Sequence, residues 1–188
     1  LNSIQNYILQ NEQIEAARYL SKFSKLIRKT LDDSNKTGVP LEEIVESLRM
    51  YVELEAFRFN QEFRYEIDMD ERDPLLYTIE LPPMLLQPYV ENAILHGLMP
   101  KQGEKILQIH LFIRGHEVYC VIDDNGVGRQ AQPKREYHIS RGEKLTAGML
   151  ESLRQLHWSE PVITITDKKD EAGNAAGTRI EIRIPFKQ

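Results

Sequence analysis

The sequence predicts an α+β protein, a mixed β-sheet covered by helices and preceded by an antiparallel helical hairpin. Three observations carry this. Apolar residues recur at helical spacing, without Gly or Pro, from Leu1 to about Leu31, and the same spacing returns from Leu41 to about Phe59. After Asn60 the period shortens to that of strands, in runs rich in β-branched residues. Helical patterns interrupt those runs irregularly, unlike the strict alternation of a parallel α/β fold. The chain accordingly divides at residue 60, with a helical region over 1–60 and a mixed region over 61–188.

In the first helix Ile4, Ile8, Ile14, Ala17, Leu20, Phe23, Ile27 and Leu31 form the apolar stripe. The segment from Asp32 to Pro40 concentrates turn formers and reads as a connection. The second helix sets Leu41, Ile44, Val45, Leu48 and Val52 on one face, with Glu42 and Glu43 favouring the positive end of its dipole. A hairpin of this kind leaves apolar surface uncovered and needs a second copy or the rest of the chain to cover it. Strands are expected at Phe63–Ile67, Lys105–Arg114, Glu117–Ile122, Val162–Thr166 and Thr178–Ile184, and helices at Pro83–His96, with Met84, Leu85, Tyr89 and Ile94 as a buried stripe, and at Ala147–His157. The short link Arg114-Gly115-His116 makes the second and third strands antiparallel, and a polar loop from Asp167 to Gly177 does the same for the last pair. The intervening stretch Arg129–Lys144 is charged and irregular, suited either to a functional lid or to a solvated loop.

Composition narrows the class of function. Of 188 residues, 41% are hydrophobic and 28% charged, which suits a packed soluble fold and excludes a disordered chain. The net charge of -5 argues against nucleic acid as the main partner. Cys120 is the single cysteine, so no intrachain disulfide or cysteine zinc cage can form, and a reducing cytoplasmic compartment is expected. The chain begins without Met inside a helical pattern, and we read it as a piece of something longer.

Four segments can carry chemistry. In Gln87–Gly97, Glu91, Asn92 and His96 put polar groups on one helix; an Asn carbonyl beside a carboxylate suits Mg²⁺ and its waters, although a plain polar helix face has the same pattern. In Val121–Gly128 a strand runs into Asp123-Asp124-Asn125-Gly126-Val127-Gly128, where a carboxylate can accept from an exocyclic amine while the glycines let backbone approach a ligand; Asn-Gly is equally a hairpin signal. Gly148 opens a helix whose N–H groups could meet an anion. Gly177-Thr178 opens the last strand, and the Thr178 hydroxyl can serve a water or a base or be merely structural.

Taken in order, these segments resemble the GHKL (Bergerat) ATP-binding domain of sensor histidine kinases, specifically the LytS-type membrane sensors. The likeness rests on Gln87–Gly97, Asp124–Gly128, Gly148 and Gly177-Thr178, and extends to Val39–Ile44 and Tyr51–Phe59 in the helical region. It implies an α/β sandwich that binds ATP and Mg²⁺. Asn92 would coordinate the metal, and Glu91 would hold its water or act as a base. Asp124 would recognise the adenine amino group, Gly126 and Gly128 would shape the pocket, Gly148 would let the lid end approach the phosphates, Thr178 would reach adenine through water, and His96 would line the phosphate side.

The resemblance also implies a homodimer through the hairpin, a response regulator as phosphoryl acceptor, and a cytoplasmic region of a protein anchored in the bacterial inner membrane by upstream segments. The family's phosphoacceptor histidine lies just before a stretch like Leu1–Ile4, so this fragment is expected to bind nucleotide without phosphorylating itself. Leu95 stands where the family often has a basic residue, and Thr146-Ala147-Gly148-Met149 carries fewer glycines than the family's lid end. These departures leave two alternatives open, a degenerate nucleotide-binding dimerisation scaffold and an ATPase clamp in which Glu91 activates water.

Overall fold

The computed structural model describes residues 13–58, 63–129 and 147–185. The expected start of the first helix (1–12), Phe59 and most of the irregular stretch (130–146) lie outside the described residues.

Helix α1 (Gln13–Asp33) and helix α2 (Leu41–Arg58) form the expected hairpin. Lys22 pairs with Glu53, and Lys29 with Glu43 at 2.8 Å, so rising numbers on α1 meet falling numbers on α2 and the helices run antiparallel. Such half-exposed ion pairs contribute well under about 1 kcal/mol each. The apolar face of α2 outweighs them: Leu41, Ile44, Val45, Leu48 and Val52 are buried, each a residue whose truncation costs roughly 2–5 kcal/mol. That face does not pack on α1 alone. It belongs to one continuous cluster with Ile67, Tyr89, Ile94, Leu107, Ile109, Ile122 and Ile182, so α2 shares the core of the sheet. By contrast Ile14, Leu20, Phe23, Ile27 and Leu31 on α1 are exposed.

The connection after α1 hides a strand that no pattern announced. Val39–Pro40 (β1) pairs antiparallel with Glu80–Leu81 (β3), and the Leu41 N–H donates to the Ile79 carbonyl at 2.7 Å. Two residues are too few to show a period. Strand β2 (Phe63–Met69) and the one-turn helix α3 (Leu75–Thr78) lead into β3.

The main sheet adds β4 (Lys105–Arg114), β5 (Glu117–Asp124), β6 (Val162–Lys169) and β7 (Ala175–Pro185) in the order β2-β4-β5-β7-β6. Among the described strands only β2 and β4 pair in parallel, so the sheet is mixed as expected. Leu107, Ile109 and Leu111 of β4 and Val118, Cys120 and Ile122 of β5 point inward, while Gln108 and His110 point outward. On that outward face Asp68 meets His110 at 2.8 Å and Phe112 stacks on Tyr119. The last hairpin is tighter than the sequence suggested. Instead of a loop from Asp167 to Gly177, the turn is confined to 170–174, where the Asp170 carboxylate accepts from the N–H groups of Ala172 and Asn174.

The helix expected over Pro83–His96 is the main correction. Met84 takes a left-handed backbone (φ 61°) and is exposed rather than part of a buried stripe, so the helix begins only at Gln87, with Pro88 in its first turn. This helix, α4 (Gln87–Asn92), then passes into a π-helical segment, Ala93–Leu98, closed by a hydrogen bond from the Met99 N–H to the Ile94 carbonyl at 2.9 Å. Helix α5 (Ala147–Gln155) stops short of His157, whose own backbone is left-handed (φ 61°).

Candidate nucleotide site

The site is built where β5 ends. Asp124 faces Leu107 of β4 on one side and Thr178 of β7 on the other, so two ladders fix its backbone. Its carboxylate is 2% exposed, and Oδ1 accepts the Gly126 N–H at 2.7 Å. Burial pushes its pKa up to about 6, against the opposing pull of the Gly126 and Thr178 backbone N–H groups and of Lys168. A buried carboxylate with one oxygen engaged by the backbone retains acceptor capacity for an incoming donor.

The π-helical segment meets this corner. Gly97 lies in the last turn, where the helix offers its carbonyl no N–H, and that carbonyl accepts the Val127 N–H at 3.0 Å. Contact is close enough that a methyl on Gly126 would sit 2.3 Å from the Gly97 carbonyl carbon, and one on Gly97 would sit 2.8 Å from Asp124 Oδ1. Gly97 and Gly126 are thus a backbone-to-backbone joint between helix and turn.

Asp124, Gly126 and the buried Thr178 therefore come together, and Gly128 (φ 71°) packs against Ala175 at the start of β7. Glu91, Asn92 and His96 lie on the helix that ends at the Gly97 joint. Glu91 and Asn92 are half-buried, and Glu91 accepts from Gln87 Nε2 at 2.9 Å; His96 is exposed. Gly148 is exposed in the first turn of α5, across a segment outside the described residues from Gly128. Two groups escaped the sequence reading. Gly97 closes the segment Gln87–Gly97 like any glycine at a helix end, and its neighbour across the joint is not encoded by spacing. Arg129, directly after Gly128, forms a two-pronged contact with Asp167 of β6 at 2.7 and 2.9 Å, a pairing across 38 positions that no local signal marks.

Residues 1–63 match the family model described as histidine kinase. Sensor protein LytS of Bacillus cereus is 32% identical over 179 residues, which cover 92% of this chain and 29% of that protein. LytS of Oceanobacillus iheyensis is 34% identical over 121 residues, covering 64% of this chain and 20% of that protein. The chain belongs to the LytS-type histidine kinases. It spans less than a third of the length of these relatives. Among solved structures, the nucleotide-free catalytic domain of histidine kinase ThkA superposes with a TM-score of 0.50 over 79% of this chain and 94% of that one, at 13% identity, a likeness of fold. The LytS-type chain thus has the GHKL sandwich, a mixed sheet with helices. No helix among its described residues is long and apolar enough to cross a membrane.

Proposed function

We propose that this chain is the nucleotide-binding and dimerisation region of a cytoplasmic histidine kinase module, anchored in the membrane by other segments. It would bind Mg²⁺-ATP at the Asp124 corner and pass the γ-phosphoryl group to a histidine in preceding sequence, and from there to a response regulator. The buried Asp124 carboxylate carries the reading. Its engagement by the Gly126 N–H leaves an acceptor in a nearly dry place, which suits an exocyclic amine and disfavours a carbonyl at the same position.

The residues present fit both groups. Asp124 would accept from the adenine amine, with the Gly126 N–H holding its carboxylate and the Thr178 pairing holding its backbone, and Thr178 would add a hydroxyl through water. The Asn92 side-chain oxygen is a hard ligand of the kind Mg²⁺ takes when phosphates supply the rest of its shell. Glu91, oriented by Gln87, would hold a metal-bound water or act as base. His96 and Gly148 would face the phosphates. Magnesium would neutralise charge developing on the phosphoryl oxygens, so the protein's remaining task is alignment.

Dimerisation is proposed through α1. Ile14 (82% exposed), Leu20, Phe23, Ile27 and Leu31 recur at helical spacing on a face that the rest of the described chain leaves open, as a four-helix bundle between two copies would require. Phe23→Asp combined with Ile27→Asp is expected to give a monomer at concentrations where the parent sediments as a dimer. A monomeric parent would defeat this part of the proposal.

The kinase reading is tested by incubating the chain, extended upstream, with γ-labelled ATP: label is expected on histidine. Phosphate release without phosphohistidine would favour the ATPase clamp, and no nucleotide binding would favour the scaffold. The state of Asp124 adds a pH dependence. Only the ionised carboxylate accepts without restriction, so preference for ATP over ITP is expected to weaken as pH falls through about 6. ITP carries the same titrating phosphates and controls for them. A preference unchanged between pH 7.5 and 5 would contradict the assignment.

A further inference from the structure

Asn125 lies between the two residues of the site that touch, Asp124 and Gly126, yet the adenine reading gives it no task. In an Asn-Gly hairpin the asparagine is chosen because it tolerates a left-handed backbone. Here it is not among the non-glycine residues with positive φ, so conformational tolerance does not account for it. Its hydrogen bonds do. Its N–H donates to the Ile106 carbonyl at 3.2 Å, its Oδ1 accepts the Ile106 N–H at 2.8 Å, and its Nδ2 donates to the Glu104 carbonyl at 3.1 Å. Its own carbonyl accepts from Lys101 Nζ, which reaches in from the loop after the π-helical segment.

The β4–β5 ladder stops at the pair Leu107 and Asp124. Beyond it, the Asn125 side chain replaces the missing strand, clamping the turn to residues 104–106 one position past Asp124. The Gly126 N–H that engages the Asp124 carboxylate is on the far side of that clamp. Releasing the clamp frees the donor and with it the carboxylate's orientation.

We propose that Asn125 is a positioning residue for adenine recognition, with Lys101 as its second anchor, acting through Asp124 and touching no nucleotide itself. This rests on the adenine reading above, and the test separates the two. ATP and ITP binding would be measured by calorimetry, with Mg²⁺, on the chain and its Asn125→Ala, Asn125→Asp and Lys101→Met variants. ITP has a carbonyl where ATP has the amine, so its affinity draws on phosphate and metal contacts and not on Asp124 as an acceptor.

Asn125→Ala is expected to lower ATP affinity about tenfold, the worth of one hydrogen bond to a charged group, with ITP affinity nearly unchanged. Lys101→Met should narrow the ATP preference in the same direction by less. Asn125→Asp, which keeps the acceptor to Ile106, should retain more of the preference than alanine. Equal loss of ATP and ITP, or an unaltered ratio, would overturn the proposal. If Asn125→Ala does not fold, the other two variants decide by the same ratio. A parent chain that binds ATP no better than ITP would sink the adenine reading itself, and this inference with it.

Discussion

Asp124→Asn is expected to abolish measurable Mg²⁺-ATP binding, a loss of about a hundredfold or more, while making the nucleotide-free protein more stable at pH 7. The binding loss follows from donor arithmetic. One oxygen of Asp124 accepts the Gly126 N–H at 2.7 Å, and the other is proposed to accept from adenine. An amide has one oxygen and one NH₂, so whichever way it turns, a donor faces either Gly126 or the adenine amine. Sites built on a hydrogen bond reject the mismatch by factors far larger than a lost methylene does. The stability gain has the opposite origin. Burial holds the folded-state pKa near 6, above the value of about 4 in an unfolded chain. The folded protein therefore binds this proton more tightly, so the contribution of Asp124 to stability is greatest below pH 4 and is lost as pH rises through 6. The cost, about 3 kcal/mol by linkage, is fully present at pH 7 and absent from the asparagine variant. Urea titrations at pH 7 and pH 4 check this: the variant should be the more stable at pH 7 and the advantage should shrink toward pH 4. Unchanged ATP affinity would remove Asp124 from the site.

The corner was legible in the sequence because Asp124-Asn125-Gly126-Val127-Gly128 sets a carboxylate beside two glycines at the end of a strand, and the structure adds where that carboxylate lies. A carboxylate at the inward-facing end of a strand breaks the pattern set by Val118, Cys120 and Ile122, and a break in a pattern that strong marks a place where packing has yielded to another requirement. The long helices and the five main strands were legible for the complementary reason, since each keeps one period over many residues. What escaped had either no period or a partner far away. β1 and β3 are two residues each. Met84 looked like a stripe residue because nothing local shows that Pro82 and Pro83 lead into a left-handed turn instead of a helix. The π-helical stretch cannot be told from an α-helix by spacing over six residues, and the turn residue that meets its end, Val127, lies 30 positions from Gly97. The α1 stripe was visible, but not that it would stay open in the single chain while α2 joined the core.

The glycine before Thr178 yields the second large effect and separates two ways in which a glycine can be required. Gly177 has φ +115°, where side chains are strained, and a methyl there would also sit 2.0 Å from the Asp124 carbonyl oxygen and 2.8 Å from the Asn125 Cα. Both obstacles are backbone, Asp124 held by the β5–β7 ladder and Asn125 by its bonds to Ile106 and Glu104, so no side-chain rotation relieves them. Gly173, in the turn between β6 and β7, has φ +84° with nothing within 4 Å of an added methyl. Gly173→Ala should therefore cost only the left-handed strain, roughly 1–2 kcal/mol, and leave Mg²⁺-ATP binding intact. Gly177→Ala adds the forced displacement of Asp124 against β7 and should cost about 4 kcal/mol or more, with binding lost. Denaturant titration of the two variants side by side gives the difference. Equal costs would mean that strain alone governs Gly177, and that the close approach of the two strands does not hold the carboxylate in place.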